Sequence, residues 1–192
     1  MSKSGSYTTQ NDLLLNNLME FYKIGQGENL DKMLKIITGE SKISLRIVDW
    51  FATNYAKKNY TLYDLDETDN NTERRFKVYL DYKLKLKAYS KRRFDPFCRW
   101  ERINIPYKED KYIETTIGQL NFFKWALENK VIDYIEKNYD VIEKDMNNRN
   151  STSKRKENIV ENTKTRKKRE ELSVSATKSI KKEKVEIVVQ FN

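Results

Sequence analysis

Histidine is absent from all 192 residues, and cysteine occurs once, at Cys98. The first absence excludes Ser-His-Asp and Cys-His catalysis, Cys/His zinc sites and histidine general bases. The second excludes an internal disulfide and suits a reducing compartment. Glycine (5) and proline (2) are scarce, which argues against a turn-rich β-sandwich and for helices with few breaks. No apolar run approaches the length that spans a bilayer, so no membrane span is expected. No helix-turn-helix, zinc finger or RNA-binding motif is present. The sequence assigns no catalytic residue, no metal ligand and no cofactor.

What the chain has is charge. Charged residues make up 35% of it and hydrophobic ones 38%, with a net charge of +9 and a pI near 9.4. An excess of that size points to an anionic partner: nucleic acid first, DNA ahead of RNA, and an acidic protein or a membrane surface second. The composition predicts a mainly α fold with room for a small β part (α+β): one compact helical domain and a basic, disordered C-terminal tail.

The excess is concentrated between Arg74 and Arg102, where eleven Lys/Arg stand against Asp81, Asp95 and Glu101. The cations Arg74, Arg75, Lys77, Lys83, Lys85, Lys87, Lys91, Arg92, Arg93, Arg99 and Arg102 alternate with Phe76, Tyr79, Tyr82, Tyr89, Phe94, Phe97 and Trp100. Cations for phosphates beside rings that stack on bases are what a nucleic-acid surface needs. A half-buried element with one solvated face has the same composition. From Phe76 to Ala88 every even position is apolar, the period of a strand with Lys83, Lys85 and Lys87 on one cationic face. Tyr79, Tyr82, Leu86 and Tyr89 also fall at helical spacing, so residues 76–90 are ambiguous, with the count favouring strand. The segment ends at Asp95-Pro96, because proline pushes its predecessor out of the α region.

In chain order, residues 1–10 are polar and expected to be disordered, and a folded basic domain spans 11–146. Asn11 is placed as the cap of a helix bearing Leu14, Leu15, Leu18, Met19 and Tyr22, which ends at Gly25-Gln-Gly27. A short helix near 30–37 stops at Gly39. Ser41 or Ser44 opens a third, whose Leu45, Val48, Ala52 and Tyr55 mark a packed face. Asp64 to Glu73, with five acids and no base, reads as a solvated loop, and 103–114 as a strand broken by Pro106. Thr116 and Gln119 have capping-box spacing and launch the most apolar helix, from Leu120 to Ile135, with a more amphipathic continuation through Met146. From 147 to 192 a basic linker or tail is expected, with a terminal strand at 185–191. It carries Lys154-Arg155 and Arg166-Lys167-Lys168-Arg169, spaced like a bipartite nuclear import signal and equally suited to tethering nucleic acid.

Four pieces carry a resemblance: 44–55, 82–91, the Phe94-Asp-Pro-Phe-Cys-Arg99 run, and 114–125. Together they make a core at 41–138 similar to an uncharacterised protein family of nucleocytoplasmic large DNA viruses. The resemblance implies a viral protein acting in the cytoplasm or nucleus of the infected host cell, or in the virion. It implies no reaction and no oligomeric state.

Three functions follow as expectations. The first is non-enzymatic nucleic-acid binding, largely without sequence specificity, in genome packaging or the virion. The second is a virion structural or scaffold protein that docks acidic partners. The third, minor, is a metal-dependent nuclease built on Asp95 and Glu109-Asp110-Lys111.

Overall fold

The most apolar helix of the sequence is the one the others pack around. The computed structural model describes residues 9–66, 73–107, 111–159 and 181–184. The fold is mainly α with a small β part, as the composition predicts. Thr9, not Asn11, caps α1 (Gln10–Lys23): its hydroxyl accepts the Asp12 N–H at 3.2 Å while the Asp12 carboxylate accepts the Thr9 N–H at 2.9 Å. A 3₁₀ turn (Ile24–Gly27) leads to α2 (Glu28–Thr38), closed by Gly39 at φ +81°, where a side chain is disfavoured. Ser44 caps α3 (Leu45–Trp50), which runs through a π-helical turn (Phe51–Tyr55) into α4 (Ala56–Lys58).

The acidic segment after Thr61 is not all loop. Strands β1 (Leu62–Asp66) and β2 (Glu73–Lys77) form an antiparallel hairpin with Tyr63 opposite Phe76 and Asp64 opposite Arg75. Its inner face buries Leu65 and Phe76, and Asp64, Arg75 and Lys77 point outward.

The period-2 strand reading of 76–90 is overturned. Only Phe76 and Lys77 belong to a strand, and α5 occupies Val78–Phe94. The helical set prevails because Val78 and Tyr82 are buried while Leu80 and Leu84, which the strand would have buried, stand 55% and 66% exposed. At 100° per residue Lys83 and Lys87 lie within one face of a helix and Lys85 falls on the far side. The helix is interrupted at Ser90, whose φ of +64° and ψ of 167° are non-helical.

Strands β3 (Arg102–Tyr107) and β4 (Lys111–Thr116) pair antiparallel, and β5 (Lys181–Lys184) adds to the other edge of β4. Pro106 does not break β3, because β3 is an edge strand and needs no donor on its outer side. Thr116 accepts the Gln119 N–H and starts α6 (Ile117–Glu128), as its spacing predicts. Leu120, Phe122, Phe123, Trp125 and Ala126 are buried among α1, α2, α5 and α7.

The long helix expected to follow is three helices. Asn129 turns its amide onto the Trp125 carbonyl (2.7 Å), Lys130 takes φ +51°, and α7 (Val131–Lys137) begins in a new direction. Asn138 repeats the device on Tyr134 at 2.9 Å before α8 (Tyr139–Ile159). Helix α8 passes through Asn147, where the tail was expected to start, because its first half is anchored. Asp145 accepts from Trp50 Nε1 (3.1 Å) and Lys58 Nζ (2.6 Å), and Arg149 reaches Asn54 at 3.3 Å. The C-terminal strand in the structure is 181–184; residues 185–191 lie outside the described residues, as do 1–8.

Candidate nucleic-acid interface

Geometry at the basic segment starts from the corner Phe94-Asp95-Pro96-Phe97. The Asp95 carboxylate accepts the Phe97 N–H at 2.9 Å, and the Cys98 N–H donates to the Asp95 carbonyl at 3.1 Å, which closes a tight turn. Phe94 is fully buried among Tyr82, Tyr89, Phe122 and Trp125. Asn121 on α6 donates to the Arg93 carbonyl at 2.9 Å. Gly118 completes the dock: a Cβ there would lie 2.8 Å from the Asp95 carbonyl oxygen and 3.2 Å from that of Arg92. The corner is therefore clamped to the central helix through backbone groups, and what it presents outward is held in place.

It presents Arg92, Arg99 and Trp100, all exposed. The Arg92 guanidinium lies 4.5 Å from the centre of the Trp100 ring, and Trp100 is 44% exposed. Lys91, on the corner side of Ser90, and Lys87 and Lys83, beyond it, are exposed, and none of the three has an acidic partner among the described residues. Lys83 and Lys57, a cation on α4 that the sequence did not single out, flank the Tyr79 ring at 6.0 and 5.6 Å. Lys57 was signalled only by being one of a lysine pair at the end of an apolar helix.

The structure divides the remaining candidates. Arg75 pairs with Asp64 at 3.8 Å on the hairpin, Arg102 with Glu114 at 3.0 Å on the sheet, and Arg93 reaches Gln10 at 3.4 Å. Arg74 and Lys77 are exposed on the hairpin. Lys85 turns away from the others and lines a cavity against α1 and α6. Lys154 and Arg155 fall on the last turns of α8, and Arg166 to Arg169 lie outside the described residues. Of the interleaved aromatics, Phe76, Tyr82 and Phe94 are core. Trp100 is the one that offers an open ring.

Two carboxylates, Asp49 and Asp95, repel each other. Burial, and then the neighbouring Asp95 charge, push the carboxyl group of Asp49 on α3 up to about 7. Tyr82 is raised by its burial and by both carboxylates. Among the described residues no group of three or more His, Cys, Asp or Glu is arranged to hold a metal ion. Of the nuclease outline, Asp95 is engaged by the Phe97 N–H, and Glu109 and Asp110 lie outside the described residues. No described helix is long and apolar enough to cross a membrane.

The chain matches, over residues 3–191, the model of a family of unknown function, DUF7197, and it belongs to that family. It is 48% identical over 130 residues to the Uncharacterized protein L507 of Acanthamoeba polyphaga mimivirus, an alignment covering 65% of this chain and 49% of that protein. The chain thus spans about half the length of the curated relative it matches. A relative in a large DNA virus supports the viral resemblance drawn from the sequence. No solved structure matches.

Proposed function

We propose that this protein binds nucleic acid, DNA ahead of RNA, without catalysing a reaction and largely without reading sequence, as a genome-packaging or virion protein requires. The observation that carries this reading is a set of exposed lysines without acidic partners among the described residues: Lys83 and Lys87 on one face of α5, and Lys91 past the break at Ser90, next in sequence to the Arg92–Trp100 stack. Cations left without internal counterions are the ones available to displace condensed counterions from a phosphate backbone. An exposed indole beside them gives an unpaired base a surface to stack on, whatever its identity.

The test is a salt series. Removing one phosphate contact lowers the slope of log affinity against log salt by about 0.9 on duplex DNA. The K83Q/K87Q/K91Q variant should flatten that slope by about two to three units on unrelated hydroxyl-ended duplexes, and K85Q should leave it unchanged. An unchanged slope in the triple variant, with the wild type binding, would move the contact surface elsewhere and sink the assignment.

One observation favours a second reading, a scaffold protein docking an acidic partner. Leu80 and Leu84 stand one turn apart, 55% and 66% exposed, beside Lys83 and Lys87. Apolar side chains flanked by lysines fit an acidic amphipathic helix, and they disfavour self-pairing, which would set lysine against lysine. No binding of the wild type to DNA or RNA at moderate salt would transfer the lysine face to this role.

A further inference from the structure

The cavity that takes Lys85 lies between α1, α5 and α6, on the side of α5 opposite Lys83 and Lys87, and has a volume of about 160 Å³. Two lysines line it. Lys85 is half-buried, unlike Lys83 and Lys87, and has no acidic partner among the described residues. Lys124 is half-buried on α6, its ammonium 5.5 Å from the Phe21 ring and 3.7 Å from Glu128, one turn away at the rim. The amides of Asn17 and Asn121 and the phenol-bearing Tyr89 also line it. Asn121 spends one N–H on the Arg93 carbonyl. The apolar wall is Leu14, Leu18, Phe94 and Trp125, the last fixed by a 2.7 Å hydrogen bond from its indole N–H to Asp81.

We propose that this cavity is a binding site for a phosphate monoester or free phosphate. The two ammonium groups against one carboxylate leave the lining with a net positive charge. An apolar wall strengthens the attraction beyond that of the same lysines on an open surface. The volume is well below the ~300 Å³ at which drug-sized ligand sites begin, so it admits a phosphate group and not a whole nucleotide. Glu128 at the rim can accept a hydrogen bond from a P–OH group or from a hydroxyl on the ester, and it repels a fully ionised phosphate. The site does not depend on Lys83, Lys87 and Lys91, since no residue is shared.

Two-dimensional ¹H–¹⁵N spectra of the full chain, titrated with inorganic phosphate at constant ionic strength, test the proposal. The expected result is saturable shifts at the side-chain amides of Asn17 and Asn121 and the indole of Trp125. K85Q and K124Q should each weaken binding about tenfold, as removing one charge-assisted hydrogen bond does, and K83Q should not. E128Q should tighten it, a gain that misfolding cannot imitate. A 5′-phosphorylated dinucleotide binding more tightly than phosphate, with its 5′-hydroxyl counterpart inert, would identify the source as a nucleic-acid end. Phosphate alone binding would identify a free anion. Chloride producing the same shifts, K85Q binding like the wild type, or no saturable shift at these residues overturns the proposal.

Discussion

Replacing Asp49 by Asn should stabilise this protein at alkaline pH and do almost nothing at acid pH. Asp49 is partly buried on α3, and its carboxyl is raised from the ordinary 3.8 to about 7, by burial first and by Asp95 second. Between those two values the folded protein holds a proton that the unfolded chain has released. A raised carboxyl therefore supports the fold fully below about pH 4, and the support drains as pH climbs towards about 7, at ~1.4 kcal/mol per pH unit. Over about three units the cost reaches at most about 4 kcal/mol, because the ionised carboxylate above pH 7 remains in a poorly solvated site beside a second negative charge. Asn has the shape of the neutral acid and never ionises. Urea midpoints of wild type and D49N at a series of pH values isolate the effect, since titrations that do not sense Asp49 cancel in the difference. The difference should be near zero at about pH 4 and grow to several kcal/mol by about pH 8. D95N should make the rise smaller by removing the second cause of the shift. A difference that stays flat with pH would refute the argument, and one that grows as pH falls would reverse its sign.

Two further substitutions probe the frame of the basic corner. G118A, which in an open helix gains about 1 kcal/mol, should instead cost about 1–3 kcal/mol, because the new methyl meets two backbone carbonyls that cannot rotate away; a raised denaturant midpoint would show that the corner is not docked there. S90G should raise stability by about 1 kcal/mol by relieving a positive-φ serine, and leave any salt slope unaltered. A drop in stability in S90G would mean that the serine side chain, and not its backbone, is what the site needs.

The helical ends were legible where a single residue decides them. Thr116 and Gly39 do in the structure what their residue types dictate, and Ser44 was one of two named caps. Asn11 was misplaced by two positions because threonine, aspartate and asparagine all cap, and only the reciprocal bonds between Thr9 and Asp12 select one. The breaks at Asn129 and Asn138 were illegible for a related reason. Asparagine inside an apolar run is tolerated by a helix, and what ends these helices is a side-chain bond to a carbonyl four residues back. The hairpin at 62–77 escaped because its acids suggested solvent, whereas its inner residues, Tyr63, Leu65 and Phe76, were few and flanked by charge.

At the candidate site the charge count was legible and the assignment of charges was not. The alternation from Phe76 to Ala88 is real, but alternation favours a strand only if the even residues share a buried surface, and Leu80 and Leu84 do not. The helix that forms instead is held by Tyr82, which packs on Phe122 and Trp125, and by Asp81, which receives the Trp125 indole N–H; both partners are about forty residues away. No local period can register that contact. Once the helix is chosen, the cations acquire different work. Arg75 and Arg102 face acids across a strand pair, Arg93 reaches back to the first helix, and Lys85 enters a cavity with Lys124. A salt bridge on a surface contributes little to stability, yet it does remove a cation from the pool that can meet an outside phosphate at no internal cost. A local excess of +8, eleven cations less three acids, therefore overstates the charge left for an outside partner. Which cations stay available to a partner is set by where the acids and rings of other elements come to lie, and among the described residues Lys83, Lys87 and Lys91 face no acid.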